Sequence, residues 1–342
     1  MEKNECKPIY PYSEWEIIEE SFQTQHNLRN ETMFSTGNGY IGMRGTFEEG
    51  FPGPKEFGVE GTYINGFYES EIIRYGEIAY GYAKKSQTML NVANSKTIYV
   101  SVEGEVFRMD QGTMLSYRRI LSMRDGILTR SLVWRSPQGK EVKIEIQRLV
   151  SFSNKHIAAI CYTVTPLNFN GKIDLVSLLD ADVTNQIVKD DPRAGSGLQG
   201  RVLSIAEKRT IDGGGVIVQQ TRRSSLSLAC AICHEITGER DSIPVHWDWA
   251  VGSEYHVEGT AGQSITLMKY IAYISSADGG VEELSIEAER MALEARNKGF
   301  DRIRVEQTAF LADFWSRADV CIQGDPAIQQ GIRVNIFHLL QS

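Results

Sequence analysis

The chain has 342 residues, which suggests about two domains, and its 42% hydrophobic and 23% charged residues are those of an ordinary globular protein. A formal net charge of −8 offers no basic surface and argues against a nucleic-acid partner. No run approaches the roughly 18 apolar residues that span a bilayer, and the polar start MEKNECKPIYPYSEWEIIEE lacks the apolar core of a signal peptide, so neither membrane insertion nor export is expected.

The first informative segment is Phe34–Gly50, FSTGNGYIGMRGTFEEG, where Gly37, Gly39, Gly42, Gly45 and Gly50 alternate with Asn38, Tyr40, Arg44 and Glu48. Repeated glycine permits tight turns and close backbone approach at an entropic cost. Gly37-Asn-Gly39-Tyr-Ile-Gly42 also reads as G-x-G-x-x-G. A dinucleotide fingerprint follows a buried strand and opens a helix. Here Asn27–Thr36 is mostly polar, and Gly45, Gly50, Pro52, Gly53 and Pro54 interrupt any helix that would follow. The segment reads instead as a tight turn, with Arg44 paired to Glu48 or Glu49, or as a loop reaching toward a site mouth.

From about Ser101 to Tyr273 the periodicity is two. Ile127–Trp134 alternates, Ser136-Pro-Gln-Gly139 is a turn, and Lys140–Phe152 places Val142, Ile144 and Ile146 on one face, which predicts a hairpin. Further strands are expected at Ala158–Val164, Asp174–Leu179, Gly215–Gln220, Leu226–Ile232, Ser253–Val257 and Ser264–Ile274. Many short strands between polar turns predict a large antiparallel β-sandwich.

Several side chains on this sandwich tempt a chemical reading. Cys230-Ala-Ile-Cys233 lies in an alternating stretch, so its two thiols point to opposite faces and are read as buried packing residues. Five cysteines, mostly scattered, make no disulfide framework and fit a reducing cytoplasm. Trp247-Asp248-Trp249 is either a sugar-stacking platform or packing, with the two indoles expected on one strand face. Asp180 with Asp182, and Asp190-Asp191, read as solvated turn residues, because a glycosidase pair is defined by its separation across a cleft. The six histidines show no zinc-binding spacing, and no metal is expected.

Near Ser276 the character changes. Ser276–Gly280 is a linker, and Val281–Gly299 reads as a helix with Ile286, Ala288, Met291, Ala292 and Ala295 as its apolar stripe. A second helix spans about Asp301–Arg317, with Val305, Ala309, Phe310, Phe314 and Trp315 as its expected buried side. After an extended link, Asp325-Pro326 supplies an N-cap and first helical residue. Ala327, Ile328, Gly331, Ile332, Asn335, Ile336, Leu339 and Leu340 keep the helical period. The helix runs to Gln341-Ser342 without a C-cap and reads as the first helix of an all-helical domain otherwise absent. The expected division is 1–275 sandwich, 276–318 helical linker and 319–342 start of the helical domain.

This order of elements resembles the N-terminal part of glycoside hydrolase family 65, the disaccharide phosphorylases. Asn30–Gly50 (NETMFSTGNGYIGMRGTFEEG), Gly61–Glu69 (GTYINGFYE), Thr88–Lys96 (TMLNVANSK), Val164–Ile173 (VTPLNFNGKI) and the terminal DPAIQQGIRVNIFHLLQS carry the likeness. It covers nearly the whole chain and is nearer to kojibiose and trehalose phosphorylases than to maltose phosphorylases. The resemblance implies a mainly β super-sandwich, a helical linker and an α/α barrel. It implies cleavage of an α-glucosidic disaccharide by inorganic phosphate, as co-substrate, to β-glucose 1-phosphate with inversion. It requires no other cofactor, and a homodimer is expected. The family's general acid and phosphate-binding residues lie beyond residue 342, so no catalytic residue is expected in this chain and the isolated chain should be inactive.

The same likeness implies that the last helix lines the glucose pocket, which makes Arg333, Asn335 and His338 the candidate substrate-binding residues. Asn335 and His338 are three apart and share a helix face. The competing reading is a salt-bridged helix with one satisfied histidine. A carbohydrate-binding or assembly module, and a hydrolase of the same architecture, are the alternative functions.

Overall fold

The computed structural model describes residues 8–51, 53, 57–73, 77, 79–185, 198, 200–238, 241–278 and 283–342. The pair Asp190-Asp191 lies outside them. The expected hairpin forms as β10 (Ile127–Arg135) and β11 (Glu141–Val150), with Trp134 opposite Val142 and Leu132 opposite Ile144. Gly139 closes the turn at φ +86°, where a side chain would be strained. Leu128, Leu132, Val142 and Ile144 point inward while Thr129, Ser131, Lys143 and Glu145 alternate outward.

These strands sit within a nine-stranded antiparallel sheet. Its spatial order is β1 (Glu16–Glu19), β9 (Thr113–Ser122), β10, β11, β12 (Ile157–Pro166), β19 (Ile265–Ser275), β16 (Ser227–Ile236), β15 (Gly214–Gln220) and β14 (Ser204–Ile211). A five-stranded sheet covers one face, in the order β17 (Asp241–His246), β18 (Ala250–Gly259), β13 (Gly171–Asp180), β7 (Ile98–Val102) and β8 (Glu105–Val106). Small sheets complete the β structure: β2 (Thr36–Gly37), β3 (Ile41–Met43) and β4 (Thr62–Ile64) form one, β5 (Tyr68–Ile72) and β6 (Lys85–Met89) another. The main core lies between the two large sheets and includes Ile144, Ile160, Tyr162, Leu175, Ile232 and Ile271.

Helix α1 (Asn27–Met33) precedes the glycine segment, and α2 (Leu284–Lys298), α3 (Phe300–Ala318) and α4 (Pro326–Leu340) follow the sandwich. Ala288, Ala292 and Ala295 of α2 pack on the outer face of the nine-stranded sheet against Ala229, Ala231 and Ala272. Small side chains let the helix approach so closely that the Cys233 thiol donates to the Ala292 carbonyl at 3.0 Å. Helices α3 and α4 meet the β1–β9 edge through Leu311, Trp315 and Phe337.

The helix faces differ in part from expectation. Ile286 of α2 is exposed, and α3 buries Phe300, Ile303, Gln307, Leu311 and Trp315 while Val305, Ala309 and Phe310 face outward. Gln307 decides that rotation, because its amide satisfies buried backbone at Phe152 (2.9 Å) and Val150 (3.3 Å).

Candidate functional site

Helix α4 begins as its sequence dictates. The Asp325 carboxylate accepts from the Ala327 amide at 2.8 Å, and Pro326 occupies the first turn where its missing N–H is not needed. Gln329 then stitches the preceding link to the helix, accepting from Ile322 N (2.6 Å) and donating to Val320 O (3.0 Å). The buried row of α4 is therefore Gln329, Arg333 and Phe337, whereas Ile328 and Leu339 of the apolar stripe are exposed, Leu339 at 77%.

Arg333 lies on this buried side. Its guanidinium grips Asp319 with two bonds (2.8 and 2.9 Å), donates to the Glu14 carbonyl (3.1 Å), and stacks 3.8 Å from the Trp15 ring centre. The paired guanidinium is also what holds Asp319 below the usual carboxylate range. Arg333 thus serves to fasten α4, and it points away from the other two candidates, two positions being about 200° around the helix.

Asn335 is exposed and makes no side-chain hydrogen bond to a described residue, while His338, one turn on, is half-buried on the same side. Burial pushes the His338 imidazole below its ordinary value, so the ring is neutral at pH 7. A neutral imidazole beside a carboxamide can exchange hydrogen bonds with sugar hydroxyls in either direction.

The glycine loop closes the end of this helix. Asn38 Oδ1 accepts from the Tyr40 and Ile41 amides (3.0 and 2.8 Å), and its Nδ2 donates to Ser151 O (2.6 Å), anchoring the turn to the sandwich. Gly39, at φ +83°, donates its amide to Gln341 O at 2.9 Å. A Cβ on Gly37 would lie 3.0 Å from Ile41 O and 3.1 Å from Gln341 O, which explains glycine there. Tyr40 donates to Asp278, which also pairs with Lys155 at 2.8 Å. Burial would raise Asp278, but those partners hold it low. Arg44 pairs with Glu31 at 3.5 Å instead of Glu48 or Glu49.

Glu48 and Glu49 are claimed from within the core. Arg148 meets Glu48 at 2.9 Å, and Arg130 bridges Glu48 (3.1 Å) to Glu49, which also accepts from Tyr162. Burial alone would push Glu48 up, but Arg148 and Arg130 overcome it and keep the group ionised. These carboxylates are structural counter-ions. A signal for them is present in the sequence: Arg130 sits on the inward row of β10 with Leu128 and Leu132.

The remaining sequence candidates separate. Cys230 faces the core between the sheets and Cys233 the α2 side; burial raises both thiols, Cys233 to about 12. Asp180 accepts from the Asp182 amide at 2.8 Å, and Asp182 pairs with Arg201. Trp247 and Trp249 lie in the β17–β18 turn and not along a strand. One group among the described residues brings three metal-competent atoms within 4.8 Å: Asp174, Glu254 and His256. Histidine spacing alone could not find it, because Asp174 and His256 are cross-strand partners on β13 and β18. Asp174 is already bonded to His256 Nδ1 (2.5 Å) and to the Lys172 ammonium (3.2 Å), which supplies positive charge there.

Comparison with known proteins decides the family. The model of the glycosyl hydrolase family 65 N-terminal domain matches residues 17–314. The chain belongs to glycoside hydrolase family 65. Family 65 relatives include an α,α-trehalose phosphorylase of Thermoanaerobacter brockii, 46% identical over 98% of this chain and 44% of that protein. A second, from Geobacillus stearothermophilus, is 36% identical over 96% of this chain and 42% of its own length. A kojibiose phosphorylase of Thermoanaerobacter brockii is 29% identical over 96% of this chain and 41% of that protein. The fold matches a putative kojibiose phosphorylase from the human microbiome, with TM-score 0.83 at 22% identity, over 97% of this chain and 42% of that one. The chain therefore spans less than half the length of the family 65 relatives it matches.

Proposed function

We propose that this chain is the N-terminal part of an inverting phosphorylase that converts an α-glucosidic disaccharide and inorganic phosphate to β-glucose 1-phosphate and glucose. The supporting observation is the 46% identity to an α,α-trehalose phosphorylase over 98% of the chain, which ranks trehalose ahead of kojibiose and maltose. In this reading the sandwich is residues 1–275, the helical linker 276–318, and α4 opens a catalytic α/α barrel. Phosphate attacks the anomeric carbon from the face opposite the departing oxygen, so one displacement turns an α bond into a β product. A general acid protonates the departing oxygen. Phosphate arrives already anionic and needs no base, unlike the water of an inverting hydrolase.

This chain contributes a wall of the sugar pocket. Asn335 and His338 hydrogen-bond the glucosyl unit, and Arg333 fixes the helix that carries them. The protein works in the cytoplasm as a homodimer and uses no cofactor besides phosphate. The test is a product assay on the full-length protein with trehalose, kojibiose and maltose, each with and without phosphate. Phosphate-dependent β-glucose 1-phosphate from trehalose is the expected result. Phosphate-independent glucose would replace the reading with a hydrolase, and turnover by residues 1–342 alone would overturn the assignment of chemistry to the barrel. Asn335→Ala should raise KM more than it lowers kcat.

A further inference from the structure

The tip of the β17–β18 hairpin carries Trp247 and Trp249, 53% and 38% exposed, whereas Trp134 and Trp315 are buried. Indole is a large apolar surface, and leaving two partly in water at one hairpin tip forgoes a substantial burial gain. The tip is nonetheless anchored. Trp247 N donates to Ala250 O (2.9 Å), Ala181 N donates to Trp249 O (2.7 Å), and the Lys208 ammonium caps the carbonyls of Trp247 and Asp248. Such a frame fixes the backbone that carries the rings, so only the side chains are left to order when something stacks on them.

Polar groups converge on the same ledge. The Arg201 guanidinium lies 3.4 Å from the Trp249 ring centre and pairs with Asp182. Its Nη1 is shielded from water yet has no hydrogen-bond partner among the described residues. The rest of the side chain is 29% exposed beside Asp182 at 58%, so a ligand oxygen on the ledge would meet these accessible atoms and not Nη1.

We propose that this ledge binds a glucose-containing oligosaccharide, stacking one pyranose ring on Trp247 and giving the hydroxyls of the next to Arg201 and Asp182 beside Trp249. A gluco-configured pyranose presents C–H groups on its faces and hydroxyls around its rim, which matches the exposed Trp247 indole followed two residues on by Trp249 with its guanidinium and nearby carboxylate. A protein partner fits less well. Two indoles offer on the order of a few hundred Å², against roughly 1,000 Å² for a specific interface. The charged rim of Arg201, Asp182, Asp248 and Lys208 is also what interface centres exclude. The stacking argument stands by itself, whereas the choice of glucose over other pyranoses rests on the proposed function.

The test is a titration of the chain with maltotriose, followed by tryptophan fluorescence and by NMR of the indole N–H signals. Saturable shifts at Trp247 and Trp249, with Trp134 and Trp315 unmoved, are expected. Trp247→Ala should weaken binding about tenfold at an unchanged melting temperature, since the side chain is exposed, and Arg201→Gln should weaken it by a smaller factor. Unaltered affinity in Trp247→Ala, or no saturation by maltotriose, would overturn the ledge as an α-glucan site. Saturation by galactose oligomers with equal affinity would overturn the choice of glucose alone and leave the stacking. A concentration-dependent dimer abolished by Trp247→Ala would make the tip a subunit contact. None of these outcomes depends on phosphorolysis.

Discussion

The two large sheets share one core but differ in what covers their outer faces. The nine-stranded sheet is packed on both sides, by the smaller sheet within and by α2 without. The five-stranded sheet packs its inner face on that core, and its outer face carries a small buried group of Leu178, Val245 and Ala250 beside Ile243, which is 50% exposed. Sequence records the difference. Leu228–Cys233 of β16 and Tyr270–Ser275 of β19 are continuously buried, as in strands covered twice, while Ser253–Glu258 of β18 alternates. Twice-covered strands form a rigid frame, and the less covered sheet leaves part of its surface free for other work.

The largest test of this contrast lies between the sheets. Arg148→Ala removes one of the two buried guanidinium partners of Glu48, leaving Arg130 shared between Glu48 and Glu49, and should cost about 3–5 kcal/mol in urea unfolding. On the α2 side, Ala292→Leu should cost about 1–3 kcal/mol by the same measurement, because the helix has no room to retreat. His234 gives a pH test. It is buried between Ser177 (2.8 Å) and Tyr255 (3.1 Å), and burial drives its imidazole well below the ordinary value. The unfolded chain therefore takes up the proton first. Stability from this group is full above about pH 6.5, the unfolded value, and falls below it by at most ~1.4 kcal/mol per pH unit. Melting temperature against pH should show that fall, and His234→Gln should flatten it. Least affected is the open face, where Ile243→Ser should change stability by no more than ~0.5 kcal/mol; a larger loss would mean that the face is covered after all.

The β layer was legible because alternation is a local property. Ile127–Phe152 announces its hairpin residue by residue, and Asp325-Pro326 announces the start of α4. Helix rotation was less legible. In α4 hydropathy selects Ile328 and Leu339, but Gln329 and Arg333 turn inward because the link at 319–322 and Trp15 need partners. The rotation of α3 follows Gln307 for the same reason. A helix with apolar residues around much of its circumference cannot be phased by hydropathy alone, and buried polar groups then decide. Of the candidate site, the pairing of Asn335 with His338 follows from their spacing of three, whereas the separation of Arg333 from them depends on Asp319 and Glu14, which spacing does not reveal. The cross-strand group of Asp174, Glu254 and His256 was invisible for a related reason, since Asp174 lies far from the other two in sequence and meets them only through sheet register.

The bonds from Arg333 and Gln330 to the backbone at Glu14 and Glu16 have a consequence for synthesis. They join segments 319 and 314 residues apart. At a translation rate of about 5–20 residues per second, Trp15 leaves the ribosome roughly 15–60 s before α4 exists to cover it. Strand β1 can pair with β9 in that interval, but its outer edge and the Trp15 indole must wait, exposed, until α3 and α4 are made. The seam cannot close until both ends of this span have been synthesised, and a chaperone that shields one aromatic face at the N-terminal edge would act in that window.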